Sequence, residues 1–355
     1  MRLALLSDGG NVHTQRWAGY FAEQGDDVML LTLEHPLSMP VPVRRLGPRA
    51  RPAALAYSAA VPAARRVLTR FVPDLVNAHF APNYGWMAWL LRQRPWVLST
   101  WGSDVLVNPG LSPFHRWRAR RVLRAADLVT SDAAMLTDAI HALAGETVDV
   151  LTAPMGIGRA LFAGGGRAAR ERVILHNRNL ESVYDVGTVL RGAAPVLRAH
   201  PDWRLRLAGD GSLRGELEAQ AASLALGEQV RFLGRLQRDA LMDELRRATV
   251  YLSASCSDST SVSLLEAMAL GAYPVLSDLP ANREWIAAPP GAAYFAVGDA
   301  AGLEAALERA LRMDDTARAE ALAANRTVIG ERAIWEDNMG AVRARFLAMA
   351  AAVHR

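Results

Sequence analysis

Asp258-Ser-Thr-Ser-Val-Ser-Leu-Leu-Glu266-Ala-Met-Ala-Leu-Gly271-Ala-Tyr-Pro274-Val places two carboxylates eight residues apart around the start of a short helix. Serine and threonine crowd the entry, where a side chain can cap the first turn and backbone N–H groups can face an anion. Gly271 stands where a left-handed residue ends a helix. The pattern predicts a helix from Ser261 to Leu270, with an anion at its opening turn and Asp258 just outside. Glu266 then lies more than one turn in, placed for a ligand hydroxyl. A serine-rich loop leading into an ordinary buried helix is the plainer reading of the same residues.

On either side of this segment, short apolar runs alternate with helical stretches, the pattern of doubly wound α/β units. In the second half Val173–His176, Leu205–Ala208, Gln229–Phe232, Val250–Ser253 and Tyr273–Leu276 read as buried strands. In the first half Leu3–Ser7, Val28–Thr32, Leu75–Ala78, Trp96–Thr100, Leu128–Thr130 and Val148–Leu151 do the same. Gly156-Ile-Gly158-Arg-Ala-Leu-Phe-Ala-Gly164-Gly-Gly166 between them has linker character. It sets the expected boundary, with residues 1–160 as one domain and 161–335 as the other. From Ala301 the chain is rich in Ala, Arg and Leu and reads as helical throughout.

Composition narrows the function classes. The 355 residues fit two domains at the usual roughly 100–200 residues each. No run approaches the ~18 apolar residues of a membrane-spanning helix. Asp8 interrupts the first apolar run, which argues against a secretory signal and gives a cytoplasmic expectation. A single cysteine, Cys256, excludes an internal disulfide framework and a cysteine-rich zinc site, and is expected as a small buried residue at a strand end. All 40 basic residues are arginine, the formal net charge is +4, and the basic excess lies in the first half. With no Asp-x-Asp motif and histidines at scattered spacing, no metal is expected.

Further candidates fall at the predicted strand ends, where doubly wound sheets bind ligands. Gly9 and Gly10 follow the first strand and would let backbone approach a ligand, although a plain tight turn fits equally well. His79 ends the third strand and Asp104 follows the fourth in Trp101-Gly-Ser-Asp104; a satisfied structural histidine and a turn cap are their ordinary readings. Arg178 follows Val173–His176 directly, and its planar guanidinium suits a diphosphate as well as it suits a surface ion pair.

In order, the Gly9-Gly10 loop, Pro73-Asp-Leu-Val-Asn-Ala-His79, Trp101-Gly-Ser-Asp104, Pro154-Met-Gly156-Ile, Ala208-Gly-Asp-Gly211, Val230-Arg-Phe-Leu-Gly234 and Leu265-Glu266-Ala-Met-Ala-Leu-Gly271 resemble the family-4 retaining glycosyltransferases of the GT-B fold. The resemblance runs to about residue 300. It implies two Rossmann-like, doubly wound domains facing a central cleft, the first for the acceptor and the second for a nucleotide-sugar donor. The C-terminal helix, about residues 336–355, is expected to pack back on the first domain.

By the same resemblance, Glu266 binds ribose hydroxyls and the backbone N–H groups of Ser261, Val262 and Ser263 meet the donor diphosphate. Gly10 faces that diphosphate from the other domain, Arg178 binds phosphate, and Asp258 meets the transferred sugar. His79 and Asp104 join Asp258 as candidates for the catalytic centre. The chain departs from the family pattern in three places. Asp258 stands where a glutamate is usual, Trp101 where many relatives carry histidine, and the usual phosphate-binding lysine has no counterpart. The implied activity is retaining transfer of a hexose-type sugar to a glycan or lipid-linked acceptor in bacterial surface polysaccharide synthesis, with no cofactor and with UDP favoured over GDP or ADP. A nucleotide-sugar epimerase of the same fold and a non-catalytic partner protein are the rival readings.

Phe114-His-Arg116-Trp117-Arg-Ala-Arg120-Arg121-Val-Leu-Arg124 reads as an amphipathic helix with a cationic face and an interfacial aromatic. An anionic membrane surface is one partner such a face fits; a solvated face in an arginine-rich chain is the other reading. Nucleic acid is not expected, because the arginines lack aromatic stacking platforms and a recognition motif.

Overall fold

The computed structural model describes residues 1–47, 53–165, 170–286 and 290–353. The chain forms two compact units, Met1–Pro154 together with the segment from Asp337 onward, and Met155–Glu336.

The first unit is built on seven strands: β1 Arg2–Leu6, β2 Asp27–Thr32, β3 Val43–Arg45, β4 Leu75–His79, β5 Trp96–Ser99, β6 Leu128–Ser131 and β7 Val150–Thr152. Their order is β3-β2-β1-β4-β5-β6-β7, and every pairing is parallel. The chain winds outward from β1 to β3, then returns to β1 and winds the other way from β4. The switch point therefore lies between β1 and β4, where crossover connections on opposite faces leave room for a ligand.

The second unit repeats the plan with β8 Glu171–His176, β9 Arg204–Ala208, β10 Val230–Gly234, β11 Ala248–Ser253, β12 Tyr273–Ser277 and β13 Ala293–Phe295. The order is β10-β9-β8-β11-β12-β13, which puts its switch point between β8 and β11. Parallel strands buried on both faces need continuous apolar runs, and β4 and β12 are buried at all five positions. In β8, Ile174 enters one apolar layer with Leu205 and Val250, while Val173 and Leu175 enter the opposite layer with Tyr251 and Leu265.

Two strands, β3 and β13, were not visible in the sequence pattern. Each has three residues and sits at a sheet edge; Val43-Arg-Arg buries none of them fully, so no apolar run marks it. The glycine-rich stretch proves to be less of a linker at its start than expected. Ile157 N–H donates to the Ala333 carbonyl (2.8 Å) and Trp335 N–H to that of Ile157 (2.8 Å). A Cβ on Gly156, whose φ is +55°, would lie 2.5 Å from that Ala333 oxygen, so the close crossing requires glycine. Gly166 lies outside the described residues.

The last helix, Trp335–Val353, joins the first unit through Phe346, whose ring stacks on Phe21 at 5.5 Å, both fully buried. Arg343 Nε donates to Asp26 Oδ2 at 2.7 Å, and Asp26 also accepts from the N-terminal amine at 3.1 Å. These contacts close a unit whose ends are more than three hundred residues apart. Phe346→Ala should lower stability by about 3–5 kcal/mol, read as a shift of the urea midpoint. A loss near that of an exposed substitution would place the ring outside the core.

Candidate functional site

At the switch point of the second unit, Arg178 leaves the end of β8 and Asp258 leaves the end of β11. The two side chains meet: Arg178 Nη2 donates to Asp258 Oδ2 at 2.7 Å, with the side chains only 9% and 15% exposed. Nη1 of the same guanidinium donates to Ser261 Oγ, and the charge lies over the Tyr184 ring at 4.4 Å. Burial works to lower the Arg178 pKa, but the Asp258 carboxylate, with Tyr251 and Tyr184 beside it, outweighs burial and holds it above its ordinary value. The guanidinium is thus permanently charged, almost wholly enclosed and tied to the start of the next helix.

That loop is held by a second one. A Cβ on Gly209 would lie 2.2 Å from the Arg178 carbonyl oxygen, and one on Gly211 2.4 Å from that of Leu180. Only glycines let the Ala208-Gly-Asp-Gly211 turn lie so close, and Leu180 N–H then donates to the Asp210 carbonyl at 3.0 Å.

The helix predicted here spans Val262–Leu270, capped by Ser261, whose side chain accepts from Leu264 N–H, and closed by Gly271 in the left-handed region at φ +80°. Val262 and Ser263 occupy its first turn, where N–H groups have no partner within the helix. Ser263 Oγ donates to the Asn177 carbonyl, which ties this turn to the Arg178 loop. Glu266 is buried one turn further along, and Arg238 Nη1 reaches its Oε1 at 3.1 Å. Arg238 opens the helix Arg238–Arg247 and was not singled out in the sequence. Twenty-eight residues separate the pair, and no local pattern links them.

In the first unit the predicted residues also gather at the switch point, but their polar atoms are used internally. His79 is buried, with Nδ1 3.0 Å from Ser7 Oγ and Nε2 2.9 Å from Asn77 Oδ1. Asn77 Nδ2 donates to Ser99 Oγ and the Val97 carbonyl, which fixes Oδ1 toward the ring. Nε2 therefore carries the proton, Nδ1 accepts from Ser7, and burial pushes the pKa down to about 3. This histidine is a neutral tether between β1 and β4, linked to β5 through Asn77, and it packs against the rings of Trp17 at 5.1 Å and Trp101 at 5.3 Å. His13, on the first turn of Val12–Glu23, meets Trp101 edge-on at 5.3 Å.

Asp104 is likewise buried and accepts backbone N–H groups from Ala81 and Trp101, each at 2.9 Å. It braces two loops and has the place of an organising residue. Gly10 N–H donates to Asp8 Oδ1 (2.8 Å) and Gly9 N–H to Thr32 Oγ1 (3.0 Å). A Cβ on Gly9 would lie 3.0 Å from Pro36 Cβ, so close packing of the neighbouring loop accounts for this glycine. Cys256 is exposed and not a buried strand-end residue: β11 ends at Ser253, and in the loop beyond it the Cys256 N–H donates to the Val183 carbonyl at 2.8 Å. Among the described residues no three His, Cys, Asp or Glu side chains converge on a metal-sized site.

Comparison with known proteins agrees with this geometry. Residues 2–133 match the family described as glycosyl transferase 4-like, and residues 159–327 the family described as glycosyl transferases group 1. Together the matches span most of the chain, and the protein belongs to the GT4-type glycosyltransferases. Phosphatidyl-myo-inositol mannosyltransferase from Mycolicibacterium smegmatis is 33% identical over 186 residues, 51% of this chain and 46% of that protein. Putative glycosyltransferase EpsF from Bacillus subtilis is 32% identical over 136 residues, 35% of each chain. The chain thus spans less than half the length of these curated relatives.

Sucrose-phosphate synthase from Thermosynechococcus elongatus superposes with a TM-score of 0.81 at 18% identity, covering 98% of this chain and 99% of that one. Anabaena Alr3699/HepE in complex with UDP and glucose gives 0.77 at 16% identity, covering 98% and 100%. These likenesses establish the GT-B fold.

Burial raises the Asp104 carboxyl from 3.8 to about 6, against the pull of its backbone hydrogen bonds. Between those values the folded state keeps a proton that the unfolded chain has released, so stability falls as pH rises. The stability difference between wild type and Asp104→Asn should therefore shrink by up to about 3 kcal/mol from pH 4 to 6.5 and then level off. Urea melts across that range measure it, and a difference that grows with pH would contradict the assignment.

Proposed function

We propose that this protein transfers a hexose-type sugar from a nucleotide-diphosphate donor, with retention of configuration, to a glycan or lipid-linked acceptor in bacterial surface polysaccharide assembly. The observation that carries the reading is the Arg178–Asp258–Ser261 cluster at the switch point, with Glu266 one turn along the same helix. Arg178 and the N–H groups of Val262 and Ser263 supply positive potential for a leaving diphosphate. Glu266 accepts from the ribose hydroxyls. Asp258 is drawn in by Arg178; it orients that guanidinium and presents its outer oxygen to the sugar. The printed names of two relatives, phosphatidyl-myo-inositol mannosyltransferase and alpha-monoglucosyldiacylglycerol synthase from Streptococcus pneumoniae, support a lipid-linked acceptor. The UDP in the Anabaena complex supports UDP as the base carrier.

Without a lysine, charge on the diphosphate is met by arginine and helix N-termini, and catalysis proceeds without a divalent metal. Glu266→Gln should weaken UDP binding by roughly tenfold, the worth of a hydrogen bond to a charged group, while leaving the melting profile intact. EDTA should leave the transfer rate unchanged. Donor alone should give at most slow hydrolysis to the α-sugar; acceptor-independent conversion to an isomeric nucleotide sugar, followed by NMR, would make this an epimerase instead.

A cytoplasmic location at the membrane surface is part of this reading, and one further feature supports the membrane surface. Helix Pro113–Leu123 buries Ala119, Val122 and Leu123 and leaves Arg116, Trp117, Arg120 and Arg121 exposed. Arg120 and Arg124 are not spent wholly on that face, since their Nε atoms donate to the Leu143 and Ala144 carbonyls at the end of Ala134–Ala144. Apolar groups share this surface with the arginines, with Val107, Leu111, Phe114 and Trp117 all exposed. Phe114 stacks on Trp117 at 5.8 Å, and Trp117 meets Trp86 at 6.2 Å. No helix among the described residues is long and apolar enough to cross a membrane. An aromatic ridge flanked by arginine fits the interface of an anionic bilayer. Phe114→Ser with Trp117→Ser should abolish co-sedimentation with anionic vesicles, and high salt should only weaken it. Wild-type protein that stays in the supernatant at low salt would remove the membrane from this reading.

A further inference from the structure

We propose that Arg238 is a positioning residue that orients the Glu266 carboxylate and thereby makes the donor site selective for ribonucleoside over 2′-deoxyribonucleoside diphosphates. The inference rests on the donor-site reading above. Arg238 is 63% exposed, whereas Glu266 is 7% exposed, so the ion pair joins a solvated cation to a buried anion at the mouth of the site. The solvated end of such a pair is screened by water, which limits what the pair adds to stability. Its position is unfavourable in a second respect, because Arg238 is the first residue of its helix, where the dipole disfavours positive charge. Partnering the buried Glu266 carboxylate accounts for a cation here, but not for which way it holds that carboxylate.

Geometry does. Glu266 sits in helix Val262–Leu270 and Arg238 at the start of Arg238–Arg247; the helices pack together, each leading from or into β11. Nη1 holds Oε1 at 3.1 Å and so restricts rotation of the carboxylate plane. A vicinal diol donates one hydrogen bond to each oxygen of a carboxylate only when both oxygens are presented together. A carboxylate fixed beforehand meets that demand without ordering on binding. The 2′-deoxy sugar offers one donor and gains less from the alignment.

Calorimetric titration of UDP and GDP, each beside its 2′-deoxy analogue, tests this in wild type, Arg238→Ala and Arg238→Lys. Wild type should prefer the ribonucleotide by tenfold or more. Arg238→Ala should reduce that ratio below threefold with the affinity for the deoxy form changed less than twofold, and Arg238→Lys should restore part of the ratio. A ratio kept in Arg238→Ala would overturn the inference, and so would an equal loss for both nucleotides, which would place Arg238 against the base or phosphate. A wild type that binds nucleotides without preference would overturn the assignment of Glu266 to ribose, and one that binds none would overturn the donor site itself. Arg238→Ala should remain folded with a modest drop in melting midpoint, since it removes one partner of a buried carboxylate from a side chain that lies mostly in water.

Discussion

The Arg178–Asp258 ion pair is the contact around which the second unit's site is assembled, because it joins the two loops that diverge at the switch point. Neither group could be enclosed alone: an unpaired charge at that depth is strongly unfavourable, whereas the pair retains its charge and adds directional hydrogen bonds. Through Ser261, the same guanidinium is tied to the N-terminus of helix Val262–Leu270. A cation, a capped helix start and a carboxylate are thereby brought to one place before any ligand arrives. The Gly209 and Gly211 turn holds this arrangement from behind, with backbone so close that no side chain fits.

The absence of lysine shapes the rest of the molecule in a related way. Guanidinium groups donate several hydrogen bonds in fixed directions, and here many of them end helices. Arg170 donates to the carbonyls of Leu245, Arg246, Ala248 and Leu270, at the ends of two helices that flank the site. Arg318 does so for Ala310 and Met313, and Arg120 and Arg124 for Leu143 and Ala144. Each satisfies carbonyls that have no partner within their own helix and places positive charge at the negative end of its dipole. Part of the basic charge is therefore structural, and on helix Pro113–Leu123 of the first unit the exposed arginines stand beside an aromatic ridge.

The two switch points are put to different uses. In the second unit, polar groups remain accessible at the site's edge. In the first, Ser7, Thr14, His79, Asn77 and Ser99 satisfy one another in a buried chain, and Asp104 secures two loops beside it. Trp101 and His13 lie over that chain, so the outer face of the first switch point is aromatic while its polar groups serve as scaffold.

Much of the fold was legible in the sequence, because strands buried on both faces need apolar runs and helix ends need caps, and both are local demands. Ser261 and Gly271 marked the ends of a helix that forms where they placed it, and eleven of the strands followed from their runs. The edge strands Val43–Arg45 and Ala293–Phe295 escaped because three residues are too few to carry a period, and in the first of them none is buried. The sequence also named Arg178, Asp258 and Glu266, but not what each would touch. Arg178 finds Asp258 across eighty residues once β8 and β11 bring their carboxyl ends side by side, and Glu266 finds Arg238 across twenty-eight once the two helices flanking β11 pack together. Residue type and spacing thus settled which groups carry charge and where helices begin. Tertiary packing decided which charges neutralise one another, and which polar groups, His79 and Asp104 among them, are buried as scaffold.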